Sequence, residues 1–541
     1  MKKLLKSAVS LALAFMLVFS LGTSAFAQEW NIAVGNITVS ADTGGQTVSQ
    51  GGGAATPDEA PIITGSSGEY TVTISASEGA TADVTLSGVT IASDSAAPIS
   101  VEGEGSVNIK LAGGNALASM AADHAGIEKS EESSLTISDN GGKADSLIVI
   151  GGENSAGIGG GNGKSGTNIT ITGGTIHACS DFGEDGRGAG IGGGAGGDGT
   201  DISISGGNVT ACSGAGAGIG GGAGGNGTDI TISGGVTDAK SSEGGAGIGG
   251  GAGGNGTDIT ISGGNVTASG SGMSTHVDDE NTTTVTCGAG IGGGSPKANA
   301  TGGYSGGNAK NISISGGTVN AQGYIGGAGI GGGAFSVTDH NTETITASKS
   351  GTCENVSISG SADVTAIADN GHMSGSGLKY MAAGTPIGSG ANGATPGRAV
   401  TPDTSKLNTK GKLVLMQDIS TILETIIGTY VEPVVPEASA PDDSSAEEAS
   451  SSASASLSAQ YYVVEGEEQA WLTGSADGLS FKLSSDKVIK VLIDGEEVEF
   501  ELNESGEIVI SSEVLQTLEA GEHEIEFIFA DGSCKTEFTV K

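Results

Sequence analysis

Histidine, arginine and cysteine, side chains often recruited for proton transfer, anion binding and nucleophilic attack, are scarce in this chain of 541 residues. There are six histidines and only two arginines, Arg187 and Arg398. Arg187 stands among glycines beside Asp181, Glu184 and Asp185, where an ordinary surface ion pair accounts for it. Asp278-Asp279 is the only paired aspartate of the repeat region, and a catalytic pair is one reading of it. It falls in a loop insertion, and a solvated loop is the simpler reading. His177 is equivalent to Thr210 of a later strand and is expected to point outward. No Ser/His/Asp arrangement emerges from spacing. The five cysteines are too few and too scattered for a disulfide scaffold. Cys179 and Cys212 each follow an isoleucine, Ile158 or Ile191, by 21 residues, so they should stack on adjacent coils. An unbridged, inert ladder is the expected state, and a bridge is the alternative. No Cys/His spacing indicates zinc. No catalytic residue, metal ligand or cofactor is assigned.

Two patterns could bind rather than react. Gly224 to Asp229 and Gly253 to Asp258 read Gly-Gly-Asn-Gly-Thr-Asp, the front of the calcium-binding GGxGxDxUx nonapeptide. The match fails on two counts: the apolar residues, Ile230 and Ile232, fall one place out of frame, and the strings recur once per coil rather than in tandem. Asn168, Asp201, Asp229, Asp258, Asn311 and Asn355 share one position before a strand. They are expected to bond the turn backbone as a ladder, and weak calcium uptake there stays open. The second pattern is aromatic. Phe182, Tyr304, Tyr324 and Phe335 gather near three insertions, at about 269–287, 295–310 and 335–353. With neighbouring polar residues such as Asp278 and Asp279, such faces could cradle a neutral sugar; the alternative is that they only cover a corner. Loops on a rigid scaffold are where binding concentrates. The last two insertions should occupy one corner of adjacent coils and touch.

The elements that must position these residues are repeats. Gly-Ile-Gly-Gly-Gly occurs six times, centred on Ile158, Ile191, Ile219, Ile248, Ile291 and Ile330, with gaps of 33, 28, 29, 43 and 39. Such a repeat implies stacked units that bury apolar faces only against each other. In four units an Ile-x-Ile pair follows by 11 residues, at Ile169, Ile202, Ile230 and Ile259. Strand alternation should send these inward and Thr170, Ser203, Thr231 and Thr260 outward. Worn copies at Ile99, Ile127 and Ile387 extend the array to about nine coils. Glycine, 101 residues of the chain, supplies the corners.

Around the repeats lie other segments. Lys2, Lys3 and Lys6, the apolar Ala8 to Leu21 and Ala25-Phe26-Ala27 read as a signal peptide, 1–27. A secreted, extracellular chain follows, cell surface included, with no membrane insertion once the signal is removed. Residues 28–95 are the N-terminal cap and first strands, 96–392 the glycine-rich coils and 393–431 a C-terminal cap. Within that cap Leu413 and Leu415 suggest a strand, and Ile419, Ile422, Leu423 and Ile426 a short helix. Residues 432–459 read as a disordered acidic Ser/Ala linker. Residues 460–541 alternate and turn at Asp494-Gly495, Ser505-Gly506 and Asp531-Gly532, as a small β-sandwich does. The fold class is therefore all-β: a parallel β-helix, expected right-handed and pectate-lyase-like, plus a C-terminal β-sandwich.

The repeat region resembles the glycine-rich AGIGGG…ITISGG β-helix proteins of clostridial and related Gram-positive secretomes, some of which bind carbohydrate. The Trp471 region, the Asp-Gly turns and Leu515 to Gly532 resemble X2-type immunoglobulin-like modules of clostridial extracellular proteins. At fold level there is also similarity to pectate lyases and polygalacturonases. Lyases of that kind use an arginine base and calcium-binding acids; the hydrolases use clustered aspartates, a histidine and a basic clamp. Neither set can be assembled from this sequence. A net charge of −40 repels nucleic acid and anionic membranes. The expectation is a non-catalytic binding or adhesin-like surface protein whose partner is a polysaccharide or cell-surface glycan. A β-helix lyase or glycoside hydrolase and a structural spacer are the alternatives.

Overall fold

The computed structural model describes residues 27–417 apart from 143–144, 182–185, 273, 278–281, 299–303, 340–343, 347–349, 370–382 and 393–394, then 421–427 and most of 463–541. The expected signal peptide, apart from residue 27, and the whole expected linker, 432–459, lie outside the described residues. The chain divides into two units, Met1–Val434 and Val435–Lys541.

Each coil of the first unit visits three faces in turn. One coil runs from Ile158–Gly159 on face 1 to Gly166–Ile171 on face 2, then Thr175–Cys179 on face 3, and regains face 1 at Ile191–Gly192. Face 2 holds eleven strands, all parallel. Face 1 has thirteen because Gly45–Gln50 and Thr56–Pro57 extend it antiparallel at one end. Face 3 has twelve because Thr421–Ile427 folds back at the other. This is a parallel β-helix, about 50 Å long at ~4.8 Å per rung. The nine coils expected become eleven: Ile37 and Val72 form two earlier face-1 rungs that pair in register up to Ile99.

The interior column is as the spacing requires. Ile169, Ile202, Ile230 and Ile259 are register partners and fully buried. Thr170, Ser203, Thr231 and Thr260 form the half-exposed row beside them. Face 1 explains the glycines. From Ile158–Gly159 onward its strands are two residues long, and Gly192, Gly220 and Gly249 hold φ of 136°, 134° and 132°. A Cβ on Gly220 would lie 2.0 Å from the Gly249 carbonyl oxygen. The backbones of successive rungs therefore stack with no room for a side chain.

The Asn/Asp position has a different cause from the one expected. Asn168, Asp201, Asp229, Asp258, Asn311 and Asn355 all adopt left-handed backbone, φ 53° to 56°. Asparagine and aspartate tolerate that region better than other side chains. The ladder that bonds the corner backbone stands three residues earlier. Asn226 N–H and side-chain amide donate to Asp198 Oδ1 at 2.7 and 3.1 Å. Asn255 repeats this on Asn226 at 2.9 Å for both, and Asn308 N–H donates to Asn255 Oδ1 at 2.8 Å.

The expected capping helix is corrected. Lys412–Gln417 joins face 3 parallel to Asp363–Ala368, and Thr421–Ile427 returns antiparallel to it. A returning strand pairs the open sheet edge, which a helix could only cover. Ile422 and Ile426 fit either period in so short a window.

The second unit has a four-stranded and a five-stranded sheet around one core. Phe481 of the first packs on Phe527 of the second at 5.3 Å between ring centroids. It is a small β-sandwich. The Val498, Phe500, Leu502 run crosses between sheets: Glu496–Val498 pairs with Lys490–Ile493, but Glu501–Leu502 with Ile508–Ile510.

Candidate functional site

Face 3 ends in a column of small polar residues, because each rung turns there toward the glycine face. Cys179, Cys212, Lys240 and Ser269 are successive register partners, followed one place on by Ser213 and Ser241. These residues border an open cleft of about 400 Å³. Ser213 Oγ donates to Gly188 O at 2.6 Å and Ser241 Oγ to Gly214 O at 2.7 Å, which ties two walls to the backbone. Ser180, 1% exposed, has no partner for its hydroxyl among the described residues. Lys240 lines the cleft and pairs with Asp238 at 2.6 Å. Tyr324 lines one end, 37% exposed, its N–H held by Gly270 O at 3.0 Å. Partial burial raises its phenol above the usual value. Hydroxyls, one cation and one aromatic face can hydrogen-bond and stack on a neutral polyol. Asp181 is the only carboxylate among the lining residues, so they hold no pair of acids.

The cleft floor corrects the expectation of an unbridged cysteine ladder. Cys179 and Cys212 are disulfide-bonded, with Cα atoms 4.6 Å apart, the separation of adjacent strands. Register pairing sets the two cysteines side by side on adjacent rungs. His177 is exposed and pairs in register with Thr210, as expected. Its Nε2 lies 3.2 Å from Cys179 Sγ, a contact that the sequence reading missed. Strand alternation was the available signal: residues two apart share a side. The other two described cysteines, Cys287 and Cys353, are buried and free, and burial pushes both thiols up to about 12.

Of the expected sugar-binding residues, Tyr324 alone has its side chain described in the cleft. Phe182, Asp278 and Asp279 lie outside the described residues. Tyr304 and Phe335 stand on strands Tyr304–Ser305 and Ala334–Asp339, but their side chains are outside the described part. The insertions pair differently from expectation. Thr282–Cys287 of the first runs antiparallel to Ala334–Asp339 of the third, at the centre of a four-stranded sheet with Ser274–Val277 and Thr344–Thr346. The two-residue length of face 1 explains it: the chain entering the Ile291 rung and the chain leaving the Ile330 rung are close neighbours. The second insertion forms its own hairpin, Lys297–Ala298 with Tyr304–Ser305. Its end still stacks on the third as expected, Thr352 N–H donating to Asn308 Oδ1 at 2.8 Å.

A second cavity, about 430 Å³, lies at the corner between faces 1 and 2 and is lined by Glu102, Glu128, Glu131, Glu132, Lys129 and Lys164 among others. Lys129 is 3% exposed, and its ammonium donates to Ser130 O at 2.6 Å and reaches Thr167 Oγ1 at 3.4 Å. Burial pushes its amine down to about 8, against a smaller opposing pull from Glu131. Arg187 is exposed, its backbone joining neighbouring coils through Glu153 O and Ala223 N.

The family model for Beta helix repeat matches residues 169–195, 202–223, 230–252, 259–295 and 312–334. No curated protein matches the chain, and no solved structure does. The matched stretches fall within the longer run of coils whose strands pair in register on all three faces, and the chain is a parallel β-helix protein whose repeats are similar to the Beta helix repeat family.

Proposed function

We propose that this is a secreted, non-catalytic binding protein of the clostridial glycine-rich type, and that the face-3 cleft holds a neutral polysaccharide or cell-surface glycan. The observation that carries this reading is the exposed Tyr324 ring at the end of a serine-walled cleft set on a rigid stack of strands. An aromatic face stacks on sugar C–H groups, and flanking hydroxyls bond the sugar oxygens. The small sandwich serves as an immunoglobulin-type accessory module. The charge of −40 supports a neutral rather than an anionic glycan.

A glycan array probed with the chain from residue 28 onward tests this, with reducing-end and unsaturated-product assays run on every retained polysaccharide. Retention without product is expected. Tyr324→Ala should weaken retention on the order of tenfold, about 1.4 kcal/mol. Turnover of any retained glycan, or retention indifferent to Tyr324, overturns the proposal.

A further inference from the structure

We infer that His177, Cys179 and Cys212 form a binding site for one thiophilic d10 cation, with Zn2+ as its probe, when the disulfide is reduced. Their ligand atoms all lie within 4.8 Å of one another. A tetrahedral zinc ion with bonds of roughly 2.0 to 2.3 Å spaces its ligands about 3.5 Å apart, so on reduction the two sulfurs need to separate by about 1.5 Å while the His177 nitrogen draws in. His177 and Cys179 are alternate residues of one strand and project from the same side, and Cys212 is the register partner on the next rung. The scaffold thus holds the set without help from a loop. The site opens on the cleft that Asp181 also lines, which leaves a fourth position for water or that carboxylate.

The bridge and the ion exclude each other. In the oxidised chain both sulfurs are spent in the S–S bond. A phosphine with water breaks that bond by supplying two electrons, leaving two thiols and a phosphine oxide. Binding Zn2+ then releases one proton from each thiol to solvent, and two thiolates neutralise the ion beside a neutral imidazole. The buried Cys287 and Cys353, whose thiols resist ionisation, do not compete.

The test uses the full chain in a Cys534→Ser background, purified under argon. Reduction is verified by counting alkylated thiols, excess Zn2+ is removed by desalting, and bound metal is measured by mass spectrometry. The reduced chain should retain one zinc and the oxidised chain none. Co2+ in place of Zn2+ should give thiolate-to-metal absorption. Cys212→Ser should abolish both signals, and His177→Ala should weaken retention on the order of tenfold or more. Circular dichroism confirms that each variant is folded. No zinc in the reduced chain, equal zinc in the oxidised chain, or cobalt absorption that survives Cys212→Ser overturns the inference.

Discussion

Threonine 237 interrupts an otherwise apolar column, and replacing it should make the protein more stable. Val209, Thr237 and Val266 are register partners that point inward on successive rungs of face 3. Both valines are fully buried; Thr237 is 1% exposed, and its hydroxyl has no partner among the described residues. The preceding Val236 is 46% exposed, where the flanking rungs carry Asn208 and Asn265. Valine and threonine are thus exchanged relative to the rungs above and below. An unsatisfied buried hydroxyl costs about 1–3 kcal/mol, and valine has nearly the same shape. Thr237→Val should therefore gain about 1–2 kcal/mol, while Val236→Asn alone should stay within about 0.5 kcal/mol. Guanidinium denaturation followed by circular dichroism reads the total. Native-state hydrogen exchange of the 236–241 strand reads the local gain, since stability in a solenoid is a sum over neighbouring repeats. A Thr237→Val chain that is unchanged or weaker would mean that the hydroxyl is satisfied in solution, and the reasoning fails.

Two further outcomes follow from the first unit. Gly220→Ala forces a methyl onto the Gly249 carbonyl in a left-handed conformation, and should cost on the order of 3 kcal/mol or more; a midpoint within error of wild type would contradict the stacked-backbone account of face 1. Lys129 makes stability depend on alkaline pH. Its folded amine titrates near 8, below the ordinary value of 10.5, so above pH 8 the unfolded chain binds more protons and stability rises until about 10.5. The rise is about 3 kcal/mol. Lys129→Met should raise stability at pH 7 and remove that slope; a slope that persists would place its origin elsewhere.

The solenoid was legible because its isoleucines obey two rules at once: a fixed period between coils and alternation within a strand. Ile259 and Ile261 could face nowhere but inward. Chain ends were harder. Ile419, Ile422, Leu423 and Ile426 follow helical spacing, and the open edge of face 3 overrides it by pairing Thr421–Ile427 as a strand. Ile37 and Val72 lack the Gly-Ile-Gly-Gly-Gly core, so two rungs passed as a cap. At the cleft, Cys179 and Cys212 were placed side by side by counting, yet whether sulfurs join depends on side-chain direction. The His177 contact needed that direction too. The pairing of the first insertion with the third is a distance effect across a two-residue face, and no local pattern encodes it. The Asn226 and Asn255 ladder lay inside the string compared with a calcium loop, which drew attention to the aspartates instead.

Face 1 sets where this chain can tolerate growth. Two residues per rung, Ile and Gly, lock each coil to the next, and the register from Ile248 to Ile291 to Ile330 is kept although long segments intervene. Length can therefore be added at the corners flanking that face without disturbing the alignment of the coils that follow. Foreign length is best carried where Ser274–Val277 passes to Thr282–Cys287, strands that stand outside the three stacked faces.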